Sequence, residues 1–123
     1  MKIRIMGNSI RYRLTKKDIA NFGKDGFIEE KTEFLNGPSF YYCLQKKEGI
    51  TRLEASFSNN RISIFVAGNM VTEWTTTDIV GFDNKMAMDD GENLLLLIEK
   101  DFVCLDPGLE DQSDHYQNPN AVC

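Results

Sequence analysis

Apolar and basic residues alternate in two short segments near the amino terminus, residues 2–5 and residues 10–14. Such alternation places the apolar side chains on one face of a β-strand and the charged side chains on the other. Gly7 and Asn8 lie between the two segments, and both residue types favour a tight turn. The pattern therefore predicts a β-hairpin with one apolar face and one cationic face.

Capping residues and apolar spacing predict two short helices. The first begins at Thr15, which forms a capping box with Asp18, and it ends at Gly23. The second begins at residues 67–69 and carries an apolar stripe that includes Trp74. The threonine run at residues 75–77 ends it.

Further strands are predicted where apolar residues alternate or form a short run: residues 27–34, 39–45, 51–57, 61–66, 79–82 and 94–102. We expect residues 39–66 to form an antiparallel meander and residues 84–93 to form an exposed loop. No internal repeat is visible in the sequence. About seven strands and two short helices predict an α+β fold with a mainly antiparallel curled sheet or a partly open barrel.

The predicted core consists of the apolar residues that keep the alternation or the helical stripe. These residues are Ile3, Ile5, Leu14, Ile19, Leu53, Phe57, Ile62, Ile64, Trp74, Leu95 and Leu97. The unbroken apolar run at residues 94–98 predicts a strand that is covered on both faces.

The length of 123 residues, with 41% hydrophobic and 27% charged residues, is typical of one globular domain. We expect residues 1–105 to form a single α+β domain and residues 106–123 to form an acidic carboxyl-terminal loop or tail. The longest apolar run is too short to cross a membrane. Three cysteines cannot all pair within one chain, so free thiols in the cytoplasm are expected.

The net charge of −5 is unevenly distributed along the chain. Residues 1–24 hold seven of the fourteen basic residues and one acidic residue, Asp18. The acidic remainder disfavours nucleic-acid binding. Pairing of the basic side chains with acidic residues on neighbouring strands is the simpler explanation of this distribution.

Several segments of the chain together resemble a family of small uncharacterised bacterial proteins of about this length, a domain of unknown function. These segments are residues 5–11, 13–15, 30–34, 60–62, 73–74, Asp78 and residues 99–105. The resemblance spans nearly the whole chain. It implies a bacterial cytoplasmic protein with one intact domain, and it brings no activity with it.

Charged residues that share strand faces are the first candidate site. They are Arg4, Arg11, Arg13, Glu29, Glu33 and Arg52. If these faces pointed into a closed sheet, they would form a phosphate-binding cavity similar to that of the triphosphate tunnel enzymes, with carboxylates that hold Mg²⁺. The first strand departs from that family, because it carries Lys2 and Arg4 where the family has an alternation of glutamates with a lysine. The alternative is an ordinary half-buried sheet with its charges in water.

Metal-ligating residue types near the carboxyl terminus are the second candidate site. Thiolate, imidazole and carboxylate groups form tetrahedral zinc sites, and the candidates are Cys104, Asp106, Asp114, His115 and Cys123. Their spacing matches no zinc-finger pattern, so a core thiol beside a solvated loop is the competing interpretation.

No nucleotide-binding loop, dinucleotide fingerprint or nucleophile elbow occurs in the sequence. The sequence therefore favours a small binding or interaction module without catalytic machinery. Its partner would be a protein or a small anionic ligand, and neither a cofactor nor a membrane is indicated. A homo-oligomer stays open, as do a metal-dependent phosphohydrolase and a zinc-binding protein.

Overall fold

The computed structural model describes residues 1–102, which form eight strands and two helices. The strands are β1 (Lys2–Ile5), β2 (Ser9–Leu14), β3 (Phe27–Thr32), β4 (Phe40–Lys47), β5 (Glu54–Ser58), β6 (Arg61–Ala67), β7 (Gly81–Ala87) and β8 (Asn93–Lys100); the helices are α1 (Lys16–Asp25) and α2 (Gly68–Thr76). The predicted α+β class with two short helices is confirmed. Strand β7 occupies part of the segment that was expected to be a loop.

The strands form two separate four-stranded sheets rather than one closed barrel. The first sheet has the order β1-β2-β8-β7 and the second has the order β3-β4-β6-β5. In each sheet the central pair is parallel and the two outer pairs are antiparallel. The predicted meander is therefore wrong, because β4 and β6 are parallel neighbours and β5 lies at the edge.

The core lies between the two sheets, which face each other. Tyr12 of the first sheet is fully buried, and its hydroxyl donates a hydrogen bond to the carbonyl of Ile62 in the second sheet at 3.1 Å. Its ring also lies 5.8 Å from that of Tyr42. The other buried core residues are Leu14, Phe22, Leu44, Leu53, Ile64, Val66, Val71, Trp74, Leu96 and Ile98.

The predicted core is confirmed at Leu14, Leu53, Ile62, Ile64 and Trp74 and is wrong at Ile5, Phe57 and Leu95, which are exposed. Because side chains alternate along β8, its apolar run buries Leu96 and Ile98 and leaves Leu95 and Leu97 on the outer face, with Leu97 half-buried. The prediction is therefore also wrong at Leu97, and this strand is not covered equally on both faces. Ile5 and Phe57 lie instead at the ends of edge strands.

Strand register reveals an internal relation between the two halves of the chain. In β1 and β2, Lys2 lies opposite Arg13. In β5 and β6, Glu54 lies opposite Phe65, and each of these residues is 52 positions after its counterpart. The pairing of β3 with β4 recurs in β7 and β8 with an offset of 54 positions. Both halves therefore repeat a hairpin, a helix and a second hairpin.

The parallel strand pairs follow the same relation. Ser9 lies opposite Leu95 in the first sheet, and their counterparts Arg61 and Tyr41 lie opposite each other in the second. Residues 2–25 thus correspond to residues 54–77, and residues 27–47 correspond to residues 81–101. Exchanging the halves exchanges the sheets, which is the behaviour of a pseudo-two-fold axis.

An ion pair recurs at counterpart positions with its charges reversed. Lys2 Nζ lies 3.0 Å from Asp101 Oδ2 in the first sheet. In the second sheet, Glu54 Oε1 lies 3.4 Å from Lys47 Nζ. The repeat therefore keeps the ion pair at these two positions but exchanges the acidic and the basic residue. A comparison of the two sequence segments does not reveal such a correspondence.

The two helices meet near the axis at one end of the molecule. Phe22 of α1 and its counterpart Trp74 of α2 are both buried, with ring centroids 6.2 Å apart in an edge-on arrangement. A β-carbon at Gly23 would lie 3.1 Å from the side chain of its counterpart Thr75. Glycine at this position therefore lets the two helices approach closely.

Helix α1 begins as predicted and ends later than predicted. Thr15 and Asp18 form the capping box. The helix continues through Gly23 to Asp25, and Gly26 caps it in the left-handed conformation at φ 68°. The predicted end at Gly23 is wrong, because the small size of this residue allows close packing against α2, which the local sequence does not reveal.

Candidate functional site

The four hairpin turns lie at the end of the molecule opposite the helices, and an apolar cleft of about 490 Å³ opens there. Three pairs of counterparts line this axial cleft: Ile5 with Phe57, Ile10 with Ile62, and Phe40 with Leu94. Because both members of each pair contribute, the cleft lies on the pseudo-two-fold axis. The remaining lining residues are Gly7, Asn8, Ala55, Ser56, Met86 and Met88.

The rim of the axial cleft exposes large apolar side chains. Ile5 is 55% exposed and Phe57 is 67% exposed, although both continue the alternation that places Ile3 and Ala55, which are partly buried, against the core. Each such side chain left in water loses ~25 cal/mol for every Å² that burial would remove from solvent. Clustered apolar exposure marks a binding surface more often than scattered exposure does. The turns and loops at this end also expose Met6, Phe34 and Leu35.

The chemistry of the lining is uniform. Within residues 1–102, the cleft is lined by aliphatic, aromatic and thioether side chains and by small polar residues, with no charged residue among them. Its volume lies within the ~300–1,000 Å³ range of small-molecule sites. Such a cleft favours an uncharged apolar molecule, since a buried charge would find no partner.

The edge strands β5 and β7 form one seam of the sandwich beside this cleft. Asn84 Nδ2 donates a hydrogen bond to the carbonyl of Leu53 at 2.8 Å. Closer to the cleft, the backbone N–H of Ala55 donates to Met86 Sδ at 3.4 Å. These contacts fix the distance between the strands and place a flexible thioether in the wall of the cleft.

The opposite seam, between β1 and β3, carries charges instead. The Met1 ammonium lies 2.9 Å from Asp18 and 3.2 Å from Glu30. Burial alone would raise the pKa of Asp18, but hydrogen bonds from the ammonium and from Thr15 outweigh it and lower that pKa below its usual value. The two seams therefore differ in chemistry although they are related by the axis.

The candidate phosphate-binding residues of the first sheet lie on its outer face. Arg11 and Arg13 alternate with buried residues of β2, and both donate hydrogen bonds to Glu99 Oε1, at 3.2 and 2.7 Å. Arg4 lies opposite Arg11 in the register. The Glu99 carboxylate thus pairs with two guanidinium groups.

The remaining candidates lie elsewhere. Glu29 is on the outer face of the second sheet and accepts a hydrogen bond from Arg61 at 2.6 Å. Glu33 pairs with Lys31 at 2.8 Å, and Arg52 is exposed between β4 and β5. Since the two outer faces point away from each other, the structure does not bring the six residues into one cavity. Anion binding by the arginines of the first sheet stays a prediction.

A buried thiol lies beneath the Glu29–Arg61 pair. Cys43 Sγ is 3.2 Å from Ser63 Oγ, and both residues are buried. Burial raises the pKa of the Cys43 thiol, although its hydrogen bond with Ser63 acts in the opposite direction. The thiol therefore stays protonated at neutral pH and is a poor nucleophile.

The candidate zinc ligands Cys104, Asp106, Asp114, His115 and Cys123 lie outside the described residues. Within residues 1–102, no group of histidine, cysteine and acidic side chains could hold a metal ion. Zinc binding therefore stays a prediction.

The family comparison covers almost the whole chain. A family model described as a family of unknown function, DUF7009, matches residues 1–120. The chain belongs to this family. The resemblance to a small domain of unknown function is thereby confirmed. No match to a curated protein or to a solved structure was found for this DUF7009 member. In its described part, neither helix has the length and apolar character needed to span a membrane.

Sequence reasoning did not find the axial cleft. Its residues come from separate strands and turns, and the apolar residues among those in strands keep the alternation of ordinary core positions. Ile5 and Phe57 illustrate this, because both were expected in the core. No local pattern distinguishes an apolar side chain that fills a core from one that lines an opening.

Proposed function

We propose that this protein is a small binding module that holds an uncharged apolar molecule in the axial cleft. The observation that carries the proposal is the arrangement of counterparts around it: Ile5 and Phe57 flank the mouth, and Ile10 and Ile62 lie further inside. A ligand that covers these side chains removes apolar surface from water on both sides at once.

An uncharged fluorescent probe tests this proposal. N-phenyl-1-naphthylamine should bind the protein with increased emission, because the cleft replaces water with an apolar environment. Ile5→Glu places a carboxylate at the exposed rim and should weaken binding about tenfold, which corresponds to ~1.4 kcal/mol. Val80→Glu is the matched control, since Val80 is 51% exposed and lies outside the cleft lining.

The expected result is strong weakening by Ile5→Glu and unchanged binding by Val80→Glu. Failure of the unmodified protein to bind the probe contradicts the proposal. Equal effects of the two substitutions contradict the placement of the probe in the cleft.

Anion binding on the outer face of the first sheet is the second candidate function. Arg11 and Arg13 lie on the same outer face and share the Glu99 carboxylate. A polyphosphate carries more negative charge than this carboxylate and would compete with it for both guanidinium groups. Tripolyphosphate with Mg²⁺ should then raise the melting temperature, and Arg11→Ala combined with Arg13→Ala should abolish the shift. An unchanged melting temperature at millimolar ligand eliminates this candidate.

A location in the bacterial cytoplasm belongs to the same proposal. It is supported by the odd number of cysteines and by the buried free thiol of Cys43, which a reducing compartment preserves. Fractionation of the native host, with detection of the protein in the cytoplasmic fraction, tests this location. Recovery in a secreted fraction contradicts it.

A further inference from the structure

We propose that the ligand of the axial cleft is a single aliphatic chain with an uncharged hydrogen-bonding end, and that the small side chain of Ala55 opens the β5–β7 side of the cleft to receive it. This inference rests on the binding function proposed above and specifies its ligand. It starts from the difference between the two halves of the cleft.

The pseudo-two-fold relation predicts two equivalent halves, but the cleft extends along the β5–β7 seam and not along the β1–β3 seam. At the turns the asymmetry is reversed, because Gly7 and Asn8 line the cleft and their counterparts Asn59 and Asn60 do not. Ala55 and Met86 line it, whereas their counterparts Ile3 and Thr32 do not. Ala55 and Ile3 both pack against the core from edge strands, at equivalent register positions. Isoleucine has three more carbon atoms than alanine. The smaller residue therefore explains why space remains beside β5 and not beside β1.

The wall on the open side suits a flexible chain. Met86 and Met88 provide unbranched thioethers, which adapt to irregular apolar shapes. The hydrogen bond from the Ala55 N–H to Met86 Sδ holds the first of these methionines across the seam. Ile62 and Leu94 continue the apolar surface inward. An aliphatic chain matches this lining along its length.

Backbone geometry provides a hydrogen-bonding group at the mouth. The β5–β6 hairpin has a two-residue turn with positive φ at Asn59 and Asn60, and its closing pair is Ser58 with Arg61. In such a hairpin the closing pair exchanges hydrogen bonds, so the preceding residue directs its N–H and C=O away from the partner strand. That residue is Phe57, at the cleft mouth.

A hydroxyl or ester group at the end of the chain would therefore reach the backbone N–H of Phe57. A charged end group would find no ion-pairing partner, since the described lining has no charged side chain. Straight-chain alcohols are the simplest molecules with this chemistry.

Titration with 1-hexanol, 1-octanol and 1-decanol tests the inference. Each step of two methylenes should tighten binding on the order of tenfold, until the chain fills the cleft. Ala55→Ile gives β5 the residue that β1 already carries, so it should fold while it closes the open side. It should weaken 1-decanol binding about tenfold or more.

Ile3→Ala is the matched control. It truncates the counterpart on the other seam, outside the cleft lining, and should not weaken 1-decanol binding, although it lowers the melting temperature. Circular dichroism shows whether each variant folds. If Ala55→Ile does not fold, Ala55→Val provides a smaller obstruction and a smaller loss of affinity.

Amide resonances of the unmodified protein provide a measurement without substitutions. 1-Decanol should shift the amide resonance of Phe57 more than that of its counterpart Ile5. Unchanged binding in Ala55→Ile, equal loss in Ile3→Ala, or a larger shift at Ile5 overturns the inference. Each of these results leaves the binding function intact if the naphthylamine probe binds. Absence of both probe and alcohol binding overturns both proposals.

Discussion

The contact between Trp74 and its counterpart Phe22 joins the two helices, and its contribution to stability can be tested directly. Trp74 is fully buried, its ring meets the ring of Phe22, and its indole Nε1 donates a hydrogen bond to the carbonyl of Val80 at 2.9 Å. Two substitutions separate these contributions. Trp74→Phe removes the hydrogen bond and keeps an aromatic ring, whereas Trp74→Ala removes both.

The two substitutions should lower the free energy of unfolding by different amounts, because the carbonyl that accepts the indole hydrogen bond has a second donor. The carbonyl of Val80 also accepts a hydrogen bond from the backbone N–H of Lys100 at 2.9 Å. It therefore keeps a donor in Trp74→Phe, and the cost is limited to ~1 kcal/mol for the hydrogen bond and ~1 kcal/mol for the smaller ring. Trp74→Ala creates a large cavity and should lower the free energy of unfolding by ~3–5 kcal/mol.

Urea unfolding followed by far-ultraviolet circular dichroism measures both losses, since this is the single tryptophan and its fluorescence disappears in the variants. A double-mutant cycle measures the ring contact itself, and it combines Phe22→Leu with Trp74→Leu because Trp74→Phe would keep an aromatic ring. The expected coupling between the two substitutions is ~0.5–1.5 kcal/mol. A coupling near zero, or equal losses in Trp74→Phe and Trp74→Ala, would refute the ring contact as the source of stability. Native emission at the wavelength of the unfolded chain would refute the burial of Trp74.

Two further predictions concern the helix start and the first sheet. The lowered pKa of Asp18 means that its contribution to stability is present above the ordinary aspartate pKa of ~3.9 and is lost as the pH falls through the lower folded value. Asp18→Asn should therefore reduce stability by ~1 kcal/mol at neutral pH and make it less dependent on pH below 4, which urea unfolding between about pH 2 and 7 measures; an unchanged pH profile contradicts this role. Gly81→Ala would place a β-carbon 2.0 Å from the carbonyl oxygen of Ile98, so it should lower the free energy of unfolding by ~3 kcal/mol. A melting temperature equal to that of the unmodified protein would show that β7 moves away from β8 at this position without loss of stability.

Local sequence patterns were sufficient to predict most helices and strands and much of the buried face. Thr15 and Asp18 specify the start of α1 because both hydrogen bonds of a capping box form between residues three positions apart. Ile62 and Ile64 specify the buried face of β6 because alternation fixes which side chains share a side. Trp74 was also identified correctly, since a large aromatic residue in a helical apolar stripe packs inward.

The pairing of the strands and the position of the candidate site depend on contacts between distant parts of the chain. The parallel pairing of Ser9 with Leu95 joins residues from opposite ends of the described chain, and alternation specifies a face without specifying a partner. The same limit hid the axial cleft. Ile5 and Phe57 have the sequence pattern of core residues, but each lies at the end of an edge strand where the two sheets leave space. Whether an apolar side chain fills a core or lines a cleft depends on the residues opposite it, and these come from distant parts of the sequence.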